Sequence, residues 1–248
     1  MRRLNHASIR TVDCAGAFSD LIGDARVGFV RDFSARSDTL LVAFGGINGG
    51  MGMPPFEFFS LASSLSVKRI FIRDVAQAWY QNGVRGLGED IPSTVAHLAK
   101  EIRTAEASHV VFTGSSAGGY AAILFGHLLD VDLVITFSPR TILSNSGRRN
   151  LHDKRFRARL DAVCKDSKTP WFFDLPDVIE VPGPEIHIHY ARWHRLDRLC
   201  ARGMRDVPGV IVHPHRSKSH GLVRQLRDRG VLGPLLIEAL RPPVVHPT

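Results

Sequence analysis

Short apolar runs alternate with amphipathic segments from residue 38 almost to the end of the chain. Helical spacing of apolar residues predicts helices at residues 55–65, 91–105, 117–128, 197–204 and 221–240. Runs rich in β-branched residues predict strands at residues 38–44, 67–72, 109–112, 131–137, 185–190 and 209–213. This alternation predicts an α/β fold, a three-layer sandwich with a mostly parallel sheet of about six or more strands.

Two regions depart from this rhythm. Near the start, residues 8–14 and 26–31 predict an antiparallel pair of edge strands. Residues 140–184 lie between two predicted strands and mix polar, basic and aromatic side chains, a stretch too long for an ordinary loop. It is either an insertion or lid over a site, or a further pair of helices. No internal repeat or low-complexity linker divides the chain, so we expect one domain over residues 1–248.

The segment GSSAG, residues 114–118, stands between a predicted strand and a predicted helix. A chain that turns at once from strand to helix needs tiny side chains at the bend, and Gly114, Ala117 and Gly118 meet that need. With Ser116 in the middle, the pattern is the G-x-S-x-G of a nucleophile elbow. The bend would push the Ser116 hydroxyl out of the sheet at a helix N-terminus, where developing negative charge is favoured. The alternative is a glycine-rich turn with a buried capping serine.

A serine nucleophile needs a base in contact and a carboxylate to orient that base. In the expected chain order the acid follows a late strand and the histidine follows the last one. His220, in the loop HRSKSHG before the closing helix, is favoured as the base over His215, which comes directly after the last predicted strand. Asp197 is the sole carboxylate in ARWHRLDRLCA, the segment that follows the strand EIHIHY. The alternative for Asp197 is an N-cap of the next helix.

A tetrahedral intermediate also needs backbone N–H donors for its oxyanion. We expect one donor at Ala117 and the other in the loop that follows the first strong strand, at Gly45, Gly46 or Ile47. The alternative for that loop is a flexible turn. A phosphate loop is excluded because no Lys-Ser or Lys-Thr follows Gly50.

Asp74, next to Arg73, ends a predicted strand at the same edge of the sheet. It is a candidate substrate-binding residue, and an ion pair or a loop cap is an equally open alternative.

Composition narrows the partners. Lys and Arg outnumber Asp and Glu by 32 to 24, but the charge is spread along the chain and no nucleic-acid-binding motif appears, so nucleic acid is not expected as a partner. The arginines within residues 148–159 form a solvated helix face, or, if they line the site, they favour an anionic substrate. The oligomeric state stays open.

The three cysteines are far apart and form no CxxC pair, which argues against a zinc site of that type and against a disulfide framework. We expect neither a metal nor a cofactor. No apolar run approaches ~18 residues, and the start lacks the apolar core of a signal peptide, so a cytoplasmic protein without a transmembrane segment is expected.

From residue 38 onward the chain resembles the α/β-hydrolase superfamily, on GSSAG with Ser116, the FGG loop, Asp197 and His220. The segments FGGINGGMGMPPFEFF, IFIRD, WYQNGV and FSPRT also look like a group of small bacterial proteins of this kind. The resemblance implies hydrolysis of an ester, thioester or amide in a small acyl substrate, or acyl transfer, without a cofactor. The alternative of another class is a binding protein that kept the fold and lost the chemistry.

Overall fold

The structure, a computed structural model, describes residues 24, 27–47, 58–180 and 182–242. The strands of this part are β1 Phe29–Asp32, β2 Thr39–Phe44, β3 Lys68–Ile72, β4 His109–Ser115, β5 Leu133–Phe137, β6 Glu185–Ala191 and β7 Val210–His215. Its helices are α1 Phe59–Ala62, α2 Ile91–Ala105, α3 Ala117–Leu128, α4 Asn145–Asn150, α5 Arg157–Asp166, α6 Arg195–Gly203, α7 Leu222–Asp228 and α8 Leu232–Ala239.

The strands described here form one sheet in the order β1-β3-β2-β4-β5-β6-β7. Every neighbouring pair is parallel except β1 with β3, which is antiparallel. Strands β2 and β4 are buried along their whole length, as expected for the centre of a sheet that is covered on both faces. The predicted α/β sandwich with a mostly parallel sheet is confirmed.

Two apolar cores, one on each face of the sheet, explain why the helices lie where they do. One face packs against α2 and α3, with Leu98 and Ile123 fully buried, and the other packs against α1, α7 and α8. Helix α3 is buried on nearly every side because its first residues are small and let it lie close to the sheet. A Cβ on Gly126 would lie 2.5 Å from a methyl group of Val134. This close approach holds α3 tightly against the sheet, immediately after the strand β4 that it follows in the chain.

The helix predicted over residues 221–240 is wrong as a single element, because it divides into α7 and α8. Gly230 takes a φ of 69° at the break, and the N–H of Val231 donates back to the Leu226 carbonyl. This left-handed glycine ends α7 in the usual manner of a C-terminal cap. The predicted strand at 8–14 and the first part of the predicted 55–65 helix lie outside the described residues.

Residues 140–184 contain the pair of helices α4 and α5 and two 3₁₀ turns, Pro170–Phe172 and Leu175–Asp177. Leu143 and Leu160 anchor the segment in the core, and the Tyr120 hydroxyl donates to the Phe172 carbonyl. The segment is thus packed onto α3 and the core on that face of the sheet. Within the described residues, no helix combines the length and the apolar character needed to cross a membrane.

Candidate active site

Ser116 stands at the sharp turn between β4 and α3. Its φ of 54° and ψ of −112° are rare for a residue with a side chain. A Cβ on Gly114 would lie 2.2 Å from the carbonyl oxygen of Gly118, and one on Gly118 would lie 2.1 Å from that of Phe44. Both contacts are with backbone, so the turn requires glycine at these two positions. The bend leaves Ser116 partly exposed between buried neighbours.

The structure brings the three predicted side chains into one hydrogen-bonded chain. Ser116 Oγ lies 2.9 Å from His220 Nε2, and His220 Nδ1 lies 2.7 Å from Asp197 Oδ1. The Asp197 side chain is 1% exposed, whereas that of His220 is 35% exposed. His215, the other candidate base, instead contacts His189, with 2.9 Å between its Nε2 and His189 Nδ1.

The residue that caps α6 is His194, and Asp197 lies at the third helical position. The N-cap alternative for Asp197 is therefore wrong, because the helix begins two residues earlier than predicted. His194 Nδ1 lies 3.3 Å from the Asp197 backbone nitrogen and 2.8 Å from Asp197 Oδ1. Sequence reasoning missed His194, since imidazole is an unusual cap and nothing local marks it. Two imidazoles therefore meet one carboxylate oxygen.

The carboxyl group of Asp197 is kept ionised. Burial by itself raises the pKa of Asp197, but the His220 hydrogen bond and the charges of His220 and His194 outweigh it and hold the pKa below its usual value. Arg155 Nη1 lies 3.9 Å from Asp197 Oδ1, and Arg155 Nη2 lies 2.9 Å from the Asp153 carboxylate. Arg155 therefore adds positive charge beside a carboxylate that is buried away from solvent.

No protein-family model and no curated protein sequence matches this chain. Solved structures do match it, at low sequence identity. A Streptococcus agalactiae Gap123 glycosylation-associated complex aligns with 84% of this chain and 43% of its own, at 15% identity and a TM-score of 0.62. The capsule O-acetyltransferase of Neisseria meningitidis serogroup A aligns over 81% of this chain and 87% of its own, at 12% identity and a TM-score of 0.59. The Pyrococcus furiosus esterase Pf2001 aligns over 83% of this chain and 81% of its own, at 11% identity and a TM-score of 0.50.

The chain has the α/β-hydrolase fold. This chain spans less than half of the Gap123 chain but most of the transferase and esterase chains. A variant of the N. meningitidis transferase was also determined in complex with CoA, and it aligns over 82% of this chain and 90% of its own at 12% identity, with a TM-score of 0.59.

In an α/β-hydrolase the oxyanion donors are the N–H after the nucleophile and an N–H from an earlier loop. Ala117 is the first residue of α3, so its N–H has no acceptor within the helix. The N–H of Gly45 donates to the Ile72 carbonyl at 2.7 Å and continues the pairing of β2 with β3. The structure thus corrects the prediction for Gly45, whose N–H is taken. Gly46 and Ile47 stay as the predicted second donor.

Arg73 and Asp74 are both almost fully buried, at 2% and 1% exposed. The Arg73 guanidinium donates to the Val27 and Asp24 carbonyls ahead of β1. The Asp74 carboxylate accepts the Tyr80 N–H at 3.0 Å, so it occupies the loop-cap role that the sequence left open. Direct contact between Asp74 and substrate stays a prediction and gains no support from this burial.

Proposed function

We propose that this protein is a serine hydrolase that cleaves ester or thioester bonds through an acyl-enzyme on Ser116. The chain Ser116–His220–Asp197, at an elbow of the α/β-hydrolase fold, is the observation that carries the proposal. The two hydrogen-bond distances already lie within the range in which a proton passes between the groups. Ordinary structural roles for a serine, a partly exposed histidine and a buried carboxylate do not require this geometry.

The proposed chemistry begins when Ser116 Oγ attacks the substrate carbonyl and His220 Nε2 takes its proton. Negative charge on the carbonyl oxygen is met by the N–H of Ala117 and an N–H of Gly46 or Ile47. His220 then returns the proton to the leaving alcohol or thiol as the tetrahedral carbon collapses to the acyl-enzyme. Water then attacks the carbonyl of the acyl-enzyme while His220 Nε2 takes its proton. His220 returns that proton to Ser116 Oγ as the ester bond to the serine breaks and the free acid leaves. Asp197 holds the His220 ring by its Nδ1 and stabilises the imidazolium that forms.

We propose an anionic substrate for this reaction. A cavity of about 560 Å³ opens beside α4 and α5. Its walls are Asn145, Arg148, Arg149, His152, Asp153, Lys154, Arg157 and Asp161. Basic groups outnumber carboxylates there by four to two, counting Arg and Lys against Asp. Asp153 of this wall pairs with Arg155 Nη2, and Arg155 Nη1 lies 3.9 Å from Asp197 Oδ1. A phosphate or carboxylate on the substrate would be attracted to this wall.

Acyl transfer on the same side chains is the second candidate. The structural likeness to the N. meningitidis capsule O-acetyltransferase over most of both chains supports it. In that case the acyl-enzyme is resolved by an acceptor hydroxyl group and not by water. Incubation with acyl-CoA, with and without a panel of saccharide acceptors, separates the two: a hydrolase releases free acid at the same rate in both, whereas a transferase forms acylated acceptor.

The deciding experiment compares wild type with Ser116→Ala, using a fluorophosphonate probe and a panel of p-nitrophenyl esters and acyl-CoAs. We expect wild type to label and turn over and Ser116→Ala to do neither, because only an activated serine reacts. Ser115→Ala is the matched control, since Ser115 is the buried last residue of β4 beside the elbow. The control should keep both labelling and turnover.

His220→Ala should lower turnover by about 10⁵-fold or more and Asp197→Asn by about 10⁴-fold, because the acid acts only through the imidazole. A folded wild type that neither labels nor turns over any ester, thioester or acyl-CoA would overturn the proposal in favour of a non-catalytic binding protein. Circular dichroism on each variant shows whether it is folded.

A further inference from the structure

Four histidines lie on one face of the strand pair β6–β7: His187, His189, His213 and His215. Alternate residues of a strand point to the same face, which accounts for both His-x-His pairs. The parallel register then places His189 opposite His213. The ring centroids of that pair are 4.5 Å apart, and those of His187 and His213 are 4.9 Å apart. The hydrolase proposal uses none of these rings.

Two nitrogens of this cluster are buried without a partner. His189 is 3% exposed, and neither its Nε2 nor the Nε2 of His213 has a hydrogen-bond partner within the described part of the chain. The other nitrogen of His189 is already engaged, 2.9 Å from His215 Nε2. A buried nitrogen without a hydrogen-bond partner destabilises the fold, so a structure that keeps two of them in stacked neighbouring rings calls for a physical reason.

We propose that His187, His189 and His213 bind a divalent transition-metal ion of the zinc class. One nitrogen from each ring lies within 4.8 Å of the others. Tetrahedral zinc with nitrogens at 2.0–2.1 Å needs them about 3.4 Å apart, with the ion in the plane of each ring. The His213 ring, stacked on His189 at an angle of 13°, therefore has to turn to bind the same ion. His187 and His213 are only half-buried and so have that freedom. Imidazole nitrogens are the ligands preferred by Zn²⁺, Ni²⁺ and Cu²⁺.

The groups around the cluster suit such an ion. Glu185 Oε1 lies 2.5 Å from His187 Nε2, which is the carboxylate–imidazole pairing that orients and strengthens a metal-bound histidine. His215 Nε2 lies 2.9 Å from the second nitrogen of His189 and so fixes the orientation of that ring. Strand β7 is at the edge of the sheet among the described strands. The side chains of His187 and Glu185 are partly exposed and leave the cluster open to solvent. An ion can therefore enter without unfolding the domain.

A bound ion would tie β6 to β7 through their side chains. The segments that follow these strands carry Asp197 and His220. The ion would thus stabilise the two strands that position Asp197 and His220, while taking no part in the reaction at Ser116. A second group of possible ligands, His194, Asp197 and His220, is already joined by its own hydrogen bonds. The test therefore has to separate the two groups.

The experiment uses the untagged full-length chain, stripped with a chelator and dialysed. Zn²⁺ is titrated by calorimetry, and Co²⁺ is followed by its visible absorption. We expect one tightly bound ion per chain, a rise in Tm with excess Zn²⁺, and Co²⁺ bands of a tetrahedral site. His187→Gln and His213→Gln should each weaken binding at least tenfold. Both positions are half-buried, so these variants should fold.

His97→Gln is the matched control, because His97 is exposed on α2 and its ring nitrogen Nδ1 lies 3.1 Å from the Ser93 carbonyl oxygen of its own helix. It should bind as wild type does. The proposal is overturned if wild type binds no stoichiometric ion, if His187→Gln and His213→Gln both bind as wild type, or if His220→Ala loses the ion in their place. Ester hydrolysis by His187→Gln is measured separately, so failure here leaves the hydrolase proposal standing.

Discussion

Ser116 holds a backbone conformation that normally costs a serine about 1–3 kcal/mol, with φ at 54° and ψ at −112°. Its surroundings impose that conformation. The Ser116 N–H donates to the Phe137 carbonyl at 3.1 Å, and its carbonyl accepts the N–H groups of Tyr120 and Arg140, both at 3.1 Å. Four hydrogen-bonded neighbours, including His220, thus hold one residue where its hydroxyl faces the base.

Gly118→Ala should destabilise the protein by about 1–3 kcal/mol, since the new Cβ would overpack a backbone that cannot give way. It would lie 2.1 Å from the Phe44 carbonyl oxygen. Gly203→Ala is the matched control, because a Cβ there meets nothing within 4 Å at the end of α6. The control should leave stability unchanged or raise it by up to ~1 kcal/mol. Urea unfolding measures both, and equal stability of Gly118→Ala and wild type would refute the close approach of α3 to β2.

The loop after β3 shows how one buried carboxylate organises an element. Asp74 accepts the N–H of Tyr80, and both Trp79 and Tyr80 take positive φ values of 53° and 63°. The Tyr80 hydroxyl then donates to the Gly45 carbonyl at 2.7 Å. Asp74 therefore acts on the proposed oxyanion loop at a distance, through Tyr80. Burial raises the pKa of Asp74 to about 6, although its backbone hydrogen bonds oppose the shift.

The raised pKa predicts a pH-dependent cost of keeping Asp74 ionised. Between its unfolded value of 3.8 and about 6, the folded chain binds a proton that the unfolded chain has lost. Stability therefore falls as pH rises through this window, by up to roughly 3 kcal/mol, and stays lower above it. Asp74→Asn should lack this fall. Urea unfolding from pH 4 to 7 measures the stability difference between the two proteins, and a difference constant with pH would contradict the shift.

At the scale of the whole molecule, a buried ion cluster ties residues 140–184 to the site. Asp153 lies 2.9 Å from both Arg140 and Arg155, and the Arg140–Asp153 pair is 3% and 2% exposed. Burial lowers the pKa of Arg140 to about 10, yet it stays charged at neutral pH. Arg155 then extends to Asp197. The cluster joins the segment before α5 to the acid at the start of α6.

Asp153→Asn should cost about 3–5 kcal/mol, because it leaves the buried Arg140 guanidinium without its carboxylate partner. Turnover should also fall, since Arg155 loses the partner that holds it near Asp197. Glu238→Gln serves as the control: Glu238 pairs with Arg241 at the surface, with side chains 74% and 69% exposed. Surface pairs of this kind add little, so the control should unfold like wild type. An Asp153→Asn protein as stable as the control would show that the cluster contributes nothing.

Within the described residues, local patterns in the sequence were enough to predict the strands, most helices and the elbow. Helices α2 and α3 have the predicted bounds, because apolar spacing and small residues act over a few neighbouring positions. The order of Ser116, Asp197 and His220 along the chain also predicted which side chains a parallel sheet would gather at one edge. Their catalytic roles stay a prediction.

Contacts between distant residues were decided by the tertiary structure alone. His194 meets Asp197 because α6 begins at Arg195, and the Gly45 N–H is taken because β2 lies beside β3. The opposition of His189 and His213 depends on the register of β6 with β7, which a shift of one residue would destroy. Periodicity in the sequence predicts which face of a strand or helix a side chain is on. Which distant side chain it contacts depends on how the elements pack together in the folded protein.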